Sequence, residues 1–197
     1  MHMQPPKAKL AIFDLFGVVF SKGLAGALPE LQQAFRCSAE QIRQAYTQQE
    51  KAFDSGTINE TQFWGAINQA LHTDVASVRL SQIVISSYKI NADTVRLTQS
   101  LRKDHTVIAC SNFRKSWFDR LDDRFHVSSL FERVYISSET GLLKPDPRVF
   151  DLICSDYPVQ PSQTCLLDDD ADNVASFRQW GGNGILFTDA DAAAKQL

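Results

Sequence analysis

The sequence predicts an α/β protein: a Rossmann-like, three-layer parallel sheet with a block of helices inserted after its first strand. Two patterns support this. Short, apolar, partly β-branched runs alternate with stretches of helical periodicity, as expected of parallel strands joined by covering helices. The segment following the first run differs, because for about sixty residues it shows helical periodicity alone. One strand cannot stand by itself, so the chain must return to pair it, which makes the helical block an insertion. The expected division is residues 1–20 together with 90–197 as the α/β core, and 21–89 as a helical cap.

The strand candidates are 10–13, 106–110, 134–136, 164–167 and 184–187, short, largely apolar and partly β-branched, as strands buried on both faces should be. Helical stretches at 92–102, 114–121, 147–154 and 171–180 lie between the later ones. Asp146-Pro147 is a helix start, with a capping residue followed by Pro at the first position, and Gly181-Gly182 is a stop. Within the insertion, Ser38-Ala39-Glu40-Gln41 has the form of a capping box, followed by Ile42, Tyr46 and Phe53 at roughly helical spacing. Gly56 ends that helix, and Asn59 caps the next, whose apolar side includes Phe63, Ile67 and Leu71.

Composition narrows the function classes. The hydrophobic fraction is 44% and the charged fraction 22%, ordinary for a soluble protein, and thirteen Phe residues fill a substantial core. A formal charge of −3 gives no general attraction to nucleic acid or anionic membrane, so neither is an expected partner. No apolar run reaches membrane-spanning length, and Met1 to Lys9 is polar and Pro-containing, without a secretory pattern, so a cytoplasmic location is expected. Cys37, Cys110, Cys154 and Cys165 form no CxxC pair, and Cys110 and Cys165 sit in strand candidates as buried free thiols.

The residues that carry chemistry sit where the strand candidates end. Asp14 follows the first, Ser111 and Asn112 the second, and Asp168, Asp169 and Asp170 the fourth. Open parallel sheets bind ligands at the carboxyl ends of their strands, so these side chains share one rim. Lys144, just before the Asp146-Pro147 helix start, can reach it from a loop. Converging carboxylates repel each other unless a cation joins them, and an all-oxygen site suits Mg²⁺ with room for phosphate oxygens. Each piece alone also fits a blander role: a strand-end turn for Asp14, a turn hydroxyl for Ser111, a solvated side chain for Lys144, or acids gathered at a helix N-terminus for Asp168 to Asp172. A calcium loop is excluded, because an EF-hand needs Gly at Asn173 and Glu at Gln179.

These four elements, in this order, resemble the haloacid dehalogenase-like superfamily over residues 9–190. Its first motif is similar to Ile12-Phe13-Asp14-Leu15-Phe16-Gly17-Val18-Val19, and its second to Val107-Ile108-Ala109-Cys110-Ser111-Asn112. The third resembles Gly141-Leu142-Leu143-Lys144-Pro145, and the fourth the run from Cys165 through Asp168 and Asp169 to Asn173. One branch, which includes 2-haloacid dehalogenases, sugar-phosphate phosphatases and the phosphatase domain of soluble epoxide hydrolases, carries a helical cap after the first motif. The resemblance implies a hydrolase of small phosphorylated metabolites, a sugar phosphate among them. Asp14 would be the nucleophile, and Mg²⁺ would be held by Asp14, the Phe16 carbonyl and Asp169. Ser111, Asn112 and Lys144 would contact the phosphate, with Asp168, Gly17 and Asn173 in support.

One position departs from the pattern. Phosphatases of this kind usually carry a second Asp, the acid–base group, where this chain has Phe16. General acid–base catalysis contributes roughly 10²–10⁴-fold, so its loss makes a slow enzyme or a phosphate-binding module. A 2-haloacid dehalogenase is the other reading, since that branch has an aromatic residue here; against it, the pair Asp168-Asp169 would repel a carboxylate substrate. Arg114 and Lys115 are expected at a solvated helix start, with substrate contact as the alternative. His72, His105 and His126 lack metal-ligand spacing, while Phe53, Phe63, Trp64, Trp117 and Trp180 are expected to pack in the core.

Overall fold

The computed structural model describes residues 9–21 and 23–197; the polar stretch 1–8 and Lys22 lie outside the described residues. Five strands, β1 (Leu10–Phe13), β2 (Thr106–Ser111), β3 (Val134–Ile136), β4 (Thr164–Asp168) and β5 (Asn183–Leu186), form one parallel sheet in the order β3-β2-β1-β4-β5. The last strand runs one residue earlier than expected. β2 and β4 each extend one residue further, taking in Ser111 and Asp168.

Side chains alternate across the sheet, as the strand period of two requires. Leu10, Ile12, Ile108, Cys110 and Leu166 face one side. There they meet Val149, Phe150 and Ile153 of α8 (Arg148–Ser155) and Phe177 of α9 (Ala171–Trp180). Ala11, Phe13, Val107, Ala109, Cys165 and Leu167 face the other, joining a cluster that reaches into the insertion. Both faces are therefore covered, giving three layers. All four cysteines are free, and burial pushes the Cys110 thiol up to about 12, which keeps it protonated and inert.

Between β1 and α5 (Ala92–Leu101) lie four helices: α1 (Gly23–Phe35), α2 (Ala39–Asp54), α3 (Glu60–Leu71) and α4 (Ser77–Ser87). The Ser38 capping box forms as expected, with Gln41 N–H donating to Ser38 Oγ and Ser38 N–H to Gln41 Oε1, and Asn59 makes the same reciprocal pair with Gln62. Gly56, with φ +75°, follows the end of α2. Three further helices complete the core: α6 (Lys115–Phe125), α7 (Ser137–Thr140) and α10 (Ala190–Ala194). α8 starts one residue later than expected, with Pro147 as its cap residue. Asp146 instead accepts a hydrogen bond from Arg148 N–H at 3.0 Å. Among the described residues no helix is long and apolar enough to cross a membrane.

Candidate active site

The strand order reverses at β1. The chain moves outward through β2 and β3, then returns to β1's other side with β4, opening a crevice at the carboxyl ends of the strands. Asp14 is the first residue beyond β1, and its N–H donates to the Leu167 carbonyl of β4 at 2.9 Å. Asp168 closes β4 and Ser111 closes β2, so three strand ends present side chains to one rim.

Lys144 occupies the centre of this rim, 3% exposed. Its ammonium donates to Asp14 Oδ1 at 2.9 Å and to Asp168 Oδ2 at 2.5 Å. Burial alone would lower the lysine's pKa, but Asp14 and Asp168 outweigh it and hold the group as a cation. For Asp14 burial is the larger influence and raises the carboxyl to about 6, with Lys144 pulling it down and Asp168 pushing it up. Asn112 fixes the lysine's backbone from both sides: Lys144 N–H donates to Asn112 Oδ1 at 2.8 Å, and Asn112 Nδ2 donates to the Lys144 carbonyl at 2.7 Å. The Asn112 amide is thus engaged with the chain itself, a use that its spacing in the sequence could not display.

Asp168 is fully buried and surrounded by donors: Lys144, Asp170 N–H at 2.9 Å, and Asn173 Nδ2 at 3.1 Å from each oxygen. Asp14, Asp168 and Asp169 each offer a carboxylate oxygen within 4.8 Å of the others, which fits a small hard cation. Two details fit the same purpose. Gly17 has φ +106°, and a Cβ there would lie 2.3 Å from Asp169 Cγ, so only glycine leaves space for that carboxylate. Ser111 Oγ is buried with no hydrogen-bond partner, an orphaned donor of the sort a phosphate oxygen satisfies.

A cavity of about 580 Å³ leads from this rim to the insertion, lined by Asn112, Asp169 and Asp170 at one end and by α1 and α2 at the other. Its waist is aromatic. The Phe16 ring lies 3.8 Å from Phe113, 4.9 Å from Tyr88 and 5.5 Å from Phe20, centroid to centroid. At the far end a single stripe of α2 (Arg43, Tyr46, Glu50 and Asp54) faces the cavity.

Arg114 corrects an expectation. It is no solvated helix start but a 3% exposed guanidinium, donating from Nη1 to Asp54 Oδ1 at 2.5 Å and from Nη2 to the Tyr46 hydroxyl at 2.6 Å. The rings of Phe53, Phe113 and Trp117 lie 4.5, 4.6 and 4.0 Å from it. Burial raises Asp54 to about 7, against the pull of Arg114. Asp54, Glu50 and Tyr88 were not singled out in the sequence; the polar stripe at 43, 46, 50 and 54 was the available signal. Lys115 pairs with Asp119 one turn along α6, while His72 and His126 are left-handed cap residues after α3 and α6. His105 has both ring nitrogens buried without a partner. Phe53, Phe63, Trp64 and Trp117 pack together, and Trp180 packs on Phe150 and Phe177.

Comparison with known proteins gives a family match over residues 8–181, to the haloacid dehalogenase-like hydrolases. The chain is 26% identical over 118 residues to flavin mononucleotide hydrolase 1 of Arabidopsis thaliana, covering 60% of this chain and 48% of that protein. It is 23% identical over 205 residues to a sesquiterpene phosphatase of Aspergillus oryzae, covering 96% and 94%. The chain spans between 28% and 48% of the length of the first curated relatives it matches. Among solved structures, a HAD family enzyme of Bacteroides thetaiotaomicron in complex with magnesium and inorganic phosphate superposes with a TM-score of 0.73 at 22% identity, covering 90% of this chain and 93% of that one.

Proposed function

The chain belongs to the haloacid dehalogenase-like hydrolases, and from that premise we propose that it is a magnesium-dependent phosphatase of small phosphate monoesters. The observation that carries the proposal is the meeting of Asp14, Asp168 and Asp169 within 4.8 Å around a buried Lys144. The named activities of the two relatives, flavin mononucleotide hydrolase and sesquiterpene phosphatase, support the phosphate-ester class without fixing the alcohol. The same reading takes residues 1–20 and 90–197 as the catalytic core and 21–89 as a cap over it.

The roles combine the family pattern with what each group already touches. Asp168 has both oxygens engaged by Lys144, Asn173 and a backbone N–H, so it orients the lysine. By the family resemblance, Asp14, Asp169 and the Phe16 carbonyl would hold Mg²⁺, which would supply charge neutralisation for the phosphate. Asp14 attacks phosphorus with one carboxylate oxygen, the bond from phosphorus to the ester oxygen breaks, and the alcohol leaves with a proton from water. Water then hydrolyses the aspartyl-phosphate, freeing phosphate and the carboxylate. Lys144 Nζ and Ser111 Oγ donate to phosphate oxygens as charge develops on them, and Asn112 keeps the lysine in place. Phe16 can neither give nor take a proton, so esters whose alcohols leave readily as anions react fastest.

The test is a panel of aryl and alkyl phosphate esters with Mg²⁺ or EDTA, run on wild type and Asp14→Asn, beside halide release from 2-haloacids. Metal-dependent phosphate release that disappears in Asp14→Asn is the expected result. Metal-independent halide release would make the protein a dehalogenase instead. No release in either assay with Mg²⁺ still bound would make it a binding module.

A further inference from the structure

The residues that follow β2 connect the rim to the insertion one after another. Ser111 turns an unpartnered hydroxyl into the buried rim, and Asn112 grips the Lys144 backbone. Phe113 stacks on Phe16 at 3.8 Å and donates its N–H to Ser137 Oγ at 2.9 Å. Arg114 then crosses to α2. There its two terminal nitrogens take the Tyr46 hydroxyl and the Asp54 carboxylate, side chains that converge on one guanidinium from positions eight residues apart on α2. Two side chains from different turns of α2 held by one guanidinium resist rotation of the helix about its axis more than one would. The C-terminal end of α2 is pinned further: Ser137 Oγ donates to the Asp54 carbonyl at 2.6 Å, and Gly56 packs on the Ser138 carbonyl, which a Cβ would approach to 2.8 Å.

This grip is built for discrimination more than for strength. A guanidinium among aromatic rings gains from their faces, yet its desolvated charge still needs a carboxylate. Asp54 supplies one only while α2 is docked. Withdrawal of α2 would strand a buried cation on the core and a carboxylate on the insertion, so partly docked positions are disfavoured and the docked one is singled out. The face of α2 fixed in this way is the one that presents Arg43 and Glu50 to the cavity.

We propose that Asp54 and Arg114 form a latch that docks the helical insertion onto the core and sets the far wall of the substrate cavity. Arg114 is a positioning residue acting through α2. Its role in turnover rests on the phosphatase reading, whereas its role in docking does not. Asp54→Asn keeps the shape of the pair and removes its charge, Arg114→Met removes the fork, and Arg114→Lys keeps the charge without the fork.

Two readouts on the full chain decide the matter. Amide hydrogen exchange across 39–54 should rise at least tenfold in Asp54→Asn and Arg114→Met, with β1 and β2 amides within twofold of wild type. With p-nitrophenyl phosphate and Mg²⁺, KM should rise about tenfold with kcat within threefold. The double variant should match the single ones rather than reach a hundredfold, and Arg114→Lys should fall between wild type and Arg114→Met. Unchanged exchange in α2, equal loosening of α2 and the sheet, or multiplicative effects in the double variant would each overturn the latch. If Arg114→Met does not fold, Asp54→Asn alone decides through the same exchange measurement. A wild type that releases no phosphate from any ester would refute the phosphatase reading, while α2 exchange would still decide the latch.

Discussion

Replacing Lys144 by Met removes one cation from between two carboxylates, and the consequence can be worked from the contacts. The Lys144 side chain is 1% exposed, and its ammonium lies 2.9 Å from Asp14 and 2.5 Å from Asp168. Taking away one partner of a buried ion pair costs about 3–5 kcal/mol, because the remaining charge has neither water nor a counter-ion. At about 2–4 °C per kcal/mol for a chain of this size, Tm should fall by roughly 6–20 °C in the presence of EDTA. Met fills similar volume, so little of the loss comes from packing. The two carboxylates left facing each other attract a divalent cation more strongly than before, since Lys144 no longer repels it. Mg²⁺ should therefore raise the Tm of Lys144→Met by more than that of wild type, while phosphate release stays lost. The assay is thermal unfolding of both proteins across a Mg²⁺ titration. A Tm within about 2 °C of wild type in EDTA, or a smaller Mg²⁺ response in the variant, would show that the lysine does not bridge these carboxylates.

Three further outcomes are expected. Gly17→Ala puts a Cβ 2.3 Å from Asp169 Cγ at φ +106°, so calorimetry should find Mg²⁺ binding weakened at least about tenfold, with a backbone strain of about 1–3 kcal/mol lowering Tm by several degrees. Ser111→Ala removes a buried hydroxyl that has no partner, so Tm should stay within about 2 °C while kcat falls roughly 10²-fold; a large loss of Tm with normal turnover would mean the hydroxyl is structural. Asp54 is held up at about 7 when folded against 3.8 when free, so the folded chain binds the extra proton and this group's contribution falls as pH rises from about 4 to 7. Asp54→Asn lacks that dependence, so the Tm deficit that loss of the latch gives the variant should shrink between pH 5 and 7.5.

The fold was legible because its signals are local. Apolar runs of three to five residues mark strands with both faces covered, and the reciprocal caps at Ser38 and Asn59 mark helix starts through pairs only three residues apart. The rim was legible for a related reason: a parallel sheet delivers whatever follows each strand to the same edge, so the positions of Asp14, Ser111 and Asp168 along the chain carry their positions in space. The far wall of the cavity has no such rule. Asp54 and Arg114 are sixty residues apart, and nothing next to Arg114 in sequence distinguishes a guanidinium boxed by Phe53, Phe113 and Trp117 from one at a wet helix start. Likewise the Asn112 amide is indistinguishable in sequence from a ligand-binding one until Lys144, thirty-two residues away, is seen to occupy both its ends.

Charge at the rim also bears on the choice between phosphate and halogen chemistry. Three carboxylates and one ammonium, if all ionised, leave two negative charges uncompensated in a site where Asp168 and Lys144 are nearly devoid of solvent. A 2-haloacid brings a carboxylate of its own and nothing to offset these charges, so its approach is opposed at every distance inside the crevice. A phosphate monoester is more negative still, but it shares its oxygens with the divalent cation that the same carboxylates attract, and the cation cancels the excess. The acids that would hinder one substrate thus recruit the partner the other needs. Phe16 is compatible with both chemistries; on the proposed phosphatase reading Asp169, the acid that follows β4 and lies close to Gly17, is the residue that separates them.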